Sequence, residues 1–200
     1  MTAEVIATTI DIESTERNIG KLQSQINEHA HAIQNAVWAL EKEAKPLTDD
    51  EFWAFMPKLI NSITRLGDKI SMASVQQGTQ NFIHSLTYNH IRGMETNRET
   101  AMRFVVTYKS IKNRLYESLY KVTTDLSDDG YGDFVDSFPL NGREITEAAL
   151  DGRLINPQDE LELGENYVAS RLEDAMIDLY SNSCAHDYDP EGKGPASYTY

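Results

Sequence analysis

The stretch STERNIGKLQSQINEHAHAIQNAVWALEKEAK, residues 14–45, decides how the rest of the chain is read. It holds no proline and a single glycine, Gly20. Ile19, Ile26, Ile33 and Leu40 recur every seven residues, and Leu22, His29 and Ala36 occupy the intermediate positions. A helix turns once in about 3.6 residues, so this spacing gathers the apolar side chains into one narrow seam, the pattern of a coiled coil. The spacing predicts a helix from Ser14 or Thr15 to about Lys45, roughly 45 Å long, with Pro46 as its stop. Residues 1–14 show no period and read as an arm. His29 interrupts the second seam as a hydrogen-bonding group that tunes association.

Moving outward, Thr48-Asp49-Asp50-Glu51 is a capping box, in which the hydroxyl accepts from a first-turn amide and the glutamate reaches back. It opens a second helix carrying Phe52, Met56, Leu59, Ile63, Leu66, Ile70 and Ala73, with Pro57 expected to kink it early. Gly78 is expected to interrupt, and a shorter helix over residues 79–91 follows, closed by Gly93. Thr96-Asn97-Arg98-Glu99 reads as a second capping box. The helix after it carries Ala101, Phe104, Val105, Tyr108, Ile111, Leu115, Leu119 and Val122, and its surface is basic, with Arg103, Lys109 and Lys112 among the cations. Residues 125–142, rich in Asp and Gly, read as a loop. A short helix is expected over Arg143–Leu150, and a last one from Pro157 to about Tyr180. That last helix has an acidic face including Glu162, Glu165, Glu173 and Asp174. No run of strands is expected. The fold class is therefore all-α: a bundle of long amphipathic helices with coiled-coil-like heptads, plus a smaller acidic helical module at the C-terminal end.

Charge draws the boundary between these parts. The net charge is −14. Residues 1–124 hold 14 acidic and 14 basic side chains, whereas residues 125–200 hold 18 acidic and 4 basic, so the whole imbalance falls in the second part. The organisation expected is a charge-neutral bundle over 1–124, an acidic loop and helices over 125–182, and a flexible aromatic tail over 183–200. An acidic surface repels nucleic acid, so direct nucleic-acid binding is not expected, while a basic protein partner is favoured. No apolar run reaches the roughly 20 residues needed to span a bilayer. The first residues lack the basic and apolar regions of a signal peptide. Cys184 is the single cysteine, so no disulfide forms within the chain, and its reading is a free thiol near a polar tail. These features point to the cytoplasm, or to a virion assembled there.

The segment Asp125-Leu-Ser127-Asp-Asp129-Gly130-Tyr131-Gly132-Asp133-Phe-Val-Asp136 resembles the calcium loop of the EF-hand family over its twelve residues. The resemblance implies side-chain ligands at Asp125, Ser127, Asp129 and Asp136, a carbonyl from Tyr131, and Asp133 acting through a water. Gly132 departs from the apolar residue of that family, and Asp136 from its usual glutamate. Glu28 and His31 form a Glu-x-x-His pair, of which di-iron bundles use two; this chain has no second. No phosphate loop, nucleophile elbow or dinucleotide fingerprint is present.

No catalytic residue and no cofactor other than calcium at that loop is expected. The reading is a non-enzymatic structural or assembly protein acting through helix-mediated oligomerisation, as a homo-oligomer or part of a larger assembly such as a phage particle. The residues expected to carry it are the seam positions Ile19, Leu22, Ile26, Ile33 and Leu40, with the basic and acidic faces named above. Two alternatives stand beside it: an acidic decoy that occupies a basic nucleic-acid-binding protein, and a calcium-responsive module.

Overall fold

The computed structural model describes residues 12–64, 71–88, 97–120, 128–154 and 167–187. These form seven helices: α1 (Ile12–Glu43), α2 (Asp49–Thr64), α3 (Met72–Tyr88), α4 (Arg98–Leu119), α5 (Asp128–Ser137), α6 (Arg143–Leu150) and α7 (Val168–Asp187). A 3-10 turn, Phe138–Asn141, joins α5 to α6. There is no strand among the described residues.

The capping box at Thr48 forms as its residues dictate: the Thr48 amide donates to Glu51 Oε2 at 2.8 Å and the Glu51 amide donates to Thr48 Oγ1 at 3.3 Å. The α4 cap sits one residue later than the Thr96 expectation. Asn97 is extended, and its Oδ1 accepts from the Thr100 amide at 2.8 Å. Helix α2 runs on through Pro57, its ninth residue, where proline supplies no amide for the Trp53 carbonyl. Gly78 does not interrupt. It lies inside α3, which a reciprocal Ser71–Ser74 pair opens, the Ser74 amide donating to Ser71 Oγ at 3.1 Å. A Cβ at Gly78 would stand 2.7 Å from Ile63 Cα, so the missing side chain lets α3 press against α2.

The stretch expected as a loop over 125–142 is helical from Asp128. Tyr131, Phe134, Val135 and Phe138 recur at the spacing of one helix face and are all buried. Asp and Gly obscured that period. The Arg143–Leu150 helix forms as expected.

The core is built around Phe104 of α4. Its ring lies 5.1 Å from Phe52 of α2 and 4.8 Å from Phe82 of α3. Buried residues from Val37 to Leu179 belong to one hydrophobic cluster, and α7 packs on α1, α3 and α4. The charge boundary near residue 124 is thus not a packing boundary: the described acidic elements share the core of the neutral ones. The coiled-coil expectation also changes in form. The seam of α1 meets the body only at its C-terminal end, and no described element runs beside the rest of it.

Candidate interaction surface

Helix α1 is 32 residues long, about 48 Å at 1.5 Å per residue. Residues 15–32 are exposed on every side. Within them Ile19 is 59%, Leu22 59% and Ile26 61% exposed. Single exposed apolar residues are ordinary on protein surfaces, but three at one-turn spacing on one face are a stripe.

The stripe continues the face that packs on the body. Val37 is fully buried. Ile19 precedes it by 18 residues, which is five helical turns, and Ile26 by 11, within about 20° of three turns. Both therefore lie almost in line with Val37. Ile33 is half-buried, at the margin where the body ends, and Leu40, 38% exposed, borders a groove of about 600 Å³ with Met102 and Tyr180.

A polar network holds the base of α1. Lys109 of α4 donates to Glu41 Oε2 at 2.8 Å and to Glu173 Oε2 at 3.0 Å, and Trp38 Nε1 donates to Glu173 Oε1 at 2.6 Å. Three helices meet at one ammonium. Burial would lower the Lys109 pKa, but the two carboxylates overcome it and hold the ammonium above its usual value. Burial likewise pushes Glu173 up, and the bonds from Trp38 and Lys109 outweigh that and lower it. The corner after α1 is tied to α4 as well. The Leu47 amide donates to Thr107 Oγ1 at 2.8 Å, and Arg103 Nε donates to the Lys45 carbonyl at 3.1 Å.

The basic residues expected to form an outward face are used internally. Arg103 serves the corner and stands 3.5 Å from Glu51, Lys109 serves the network, and Lys112 Nζ lies 3.3 Å from Asp136 Oδ2. Of the acidic set, Glu173 belongs to the network, Asp174 pairs with Arg171 at 2.8 Å, and Glu162 and Glu165 lie outside the described residues. The basic and acidic faces thus meet within the chain through Lys109 and Glu173.

Of the residues resembling a calcium loop, Asp125 and Ser127 lie outside the described residues, and Asp129 is described in its backbone alone. Residues 128–137 are helical, whereas the resemblance implies a backbone curled around an ion. Tyr131 is buried and donates from its hydroxyl to the Tyr116 carbonyl at 2.7 Å; Asp133 is buried beside it in α5. Asp136 has no exposed surface, accepts from the Ala169 amide at 2.9 Å, and leaves Oδ1 without a hydrogen-bond partner. Burial raises its pKa to about 6, against the pull of Lys112 and the Ala169 amide. Among the described residues no group of three or more His, Cys, Asp or Glu is placed to hold a metal ion.

Reading by sequence missed Trp38 and Glu41 as the anchors of α1, and Asp136 as a structural carboxylate. For the first two a signal was present: both flank the heptad positions near Val37, where a charged or indole group facing a second helix needs a partner. No described helix is long and apolar enough to cross a membrane. Comparison with protein families, with curated sequences and with solved structures finds no match to this chain.

Proposed function

We propose that this chain is a non-enzymatic assembly protein whose copies associate through the exposed face of α1. The supporting observation is the stripe Ile19, Leu22 and Ile26, about 60% exposed on a helix segment that no described element covers. The positions flanking the seam are Glu16, Asn18, Gln23, Gln25, Ala30 and Ala32. Only Glu16 carries a charge, so like-charge repulsion with a second copy is confined to that one position.

The magnitude sets the expected strength. Burying a side chain already partly shielded gains roughly 1–2 kcal/mol, so six such side chains in a pair gain about 6–12 kcal/mol. Association costs about 4–15 kcal/mol in lost freedom. The balance favours a pair that forms at micromolar or higher concentration, strengthened where many copies gather in one particle. Such a subunit suits a larger assembly, a phage particle built in the cytoplasm among them. An acidic decoy draws less support, because Glu173 and Asp174 are already partnered within the chain.

Light scattering on a sizing column tests the reading, at several concentrations up to about 200 μM and at low and high salt. The expected mass rises above one chain with concentration, and salt leaves it unchanged because the contact is apolar. The Leu22→Glu/Ile26→Glu double variant remains a folded monomer, as both side chains are exposed in the single chain. A wild-type protein that stays a monomer throughout overturns the proposal.

A further inference from the structure

We infer that the second copy lies antiparallel, with the α1 helices overlapping across residues 15–33 so that Leu22 of each chain faces Ile26 of the other. This rests on the proposed self-association and adds its geometry.

The body blocks the parallel arrangement. Over the last third of α1, Val37 is buried, Ala44 packs on the core and Glu41 reaches Lys109. The body therefore sits on the same face as the exposed stripe. Two parallel helices joined by their stripes would place both bodies between them, in the same space. In an antiparallel pair each body lies past the end of the other helix. The exposed stretch, residues 15–32, is about 27 Å long. Two such stretches cover one another fully, and each stops where the other's body begins.

The seam arithmetic selects the register. Antiparallel helices pack the first seam position of one chain against the second seam position of the other. The first positions here are Ile19, Ile26 and Ile33, and the second are Thr15, Leu22 and His29. Pairing Ile26 with Leu22, Ile19 with His29 and Ile33 with Thr15 keeps each sum of residue numbers at 48, so all form at once. Of the two neighbouring registers, one pairs Ile19 with Ala36 and runs into the part of α1 that the body holds, and the other pairs Ile26 with Thr15 and shortens the overlap to residues 15–26. The chosen register places two Leu–Ile contacts at the centre. It sets each imidazole of His29 against an isoleucine, not against a second imidazole. Along the flanks, Gln23 meets Gln23, Gln25 meets Gln25, Asn18 meets Ala32 and Glu16 meets Ala30, so no two like charges are opposed.

Arg17, Ser24 and His31 are exposed, seven residues apart, and point away from the seam, which makes them sites for spin labels. In the full chain with Cys184→Ser, a cysteine placed at each in turn and labelled gives an inter-chain distance by pulsed dipolar spectroscopy. The expected distance is shortest at 24, where 24 + 24 = 48. It is longer at both 17 and 31, where the two labels are offset along the axis by 14 residues, about 21 Å. Equal distances at all three sites indicate parallel helices and overturn the inference while sparing self-association. A distance at 17 or 31 that equals or falls below the distance at 24 overturns the register. The absence of any dipolar signal at concentrations where all three labelled chains are folded overturns both the inference and the self-association beneath it.

Discussion

Asp136 Oδ2 stands 3.3 Å from Lys112 Nζ in the interior of the bundle, at a carboxylate that also accepts from the first turn of α7. One buried acid thus joins α4, α5 and α7. Its pKa is raised from 3.8 to about 6, so the folded chain binds this proton more tightly than the unfolded chain does. The contribution of this group to stability is then fully present below pH 3.8 and lost as pH rises through about 6. Two pH units of difference correspond to roughly 3 kcal/mol.

Asp136→Asn keeps an oxygen for the Ala169 amide and removes the charge. The variant is expected to match or exceed wild type in stability at pH 7.5, and the difference between the two should shrink or reverse towards pH 4. Urea unfolding at several pH values measures this. A difference that does not change with pH would contradict the raised pKa. Asp136→Ala strips both Lys112 and Ala169 of their partner and is expected to cost about 2–4 kcal/mol.

Gly78 and Gly20 should respond to alanine in opposite directions. At Gly78 the new Cβ meets Ile63 backbone at 2.7 Å, so α2 and α3 must part, at a cost of about 1–3 kcal/mol. At Gly20 nothing lies within 4 Å, and alanine raises the helicity of α1 by about 0.5–1 kcal/mol. Thermal melts separate the first, and circular dichroism of the folded chain reads the second.

That contrast shows what the sequence made legible. The long helix α1, the cap at Thr48 and the Arg143–Leu150 helix were readable because each depends on neighbours in the chain. Gly78 was read as a break because propensity sees only local cost, whereas its role is a close approach to Ile63, a residue in another helix. The helix at Asp128–Ser137 was hidden for a related reason. Asp and Gly dominate its composition, and the four buried apolar positions from Tyr131 to Phe138 are what packing selects. The apolar stripe on α1 was legible as a pattern, but no periodicity could tell that Val37 would be covered and Ile26 left open.

Lys109→Met removes the ammonium that Glu41 and Glu173 share. About a third of Lys109 is exposed, so solvent moderates the loss, and a cost of about 1–2 kcal/mol is expected. The quenching environment of Trp38 should change with it, because its indole shares Glu173. A variant whose stability and tryptophan emission both equal wild type would show that the network does not hold α1.

His29→Leu replaces the polar member of the seam with an apolar one. In the proposed pair it faces isoleucine, and the dissociation constant is expected to fall about tenfold, equal to roughly 1.4 kcal/mol. Concentration-dependent sedimentation reads the change, and weaker association would count against His29 lying in the contact.

Calcium at millimolar concentration is expected to leave the melting temperature unchanged, since Asp136 is committed to Lys112 and Ala169 and residues 128–137 are wound into α5. A stabilisation of several degrees would instead show a site that the helix does not preclude.

The corner between α1 and α2 carries a consequence for any structure the copies build. Thr107 and Arg103, some 60 residues away in sequence, clamp the backbone at Leu47 and Lys45 and so fix the direction in which α1 leaves the body. Affinity would reside in the stripe, but the angle between neighbouring bodies would be inherited from this clamp. Substitutions at Thr107 or Arg103 would then bend or straighten an array without loosening it, so that curvature and strength of grip could vary independently.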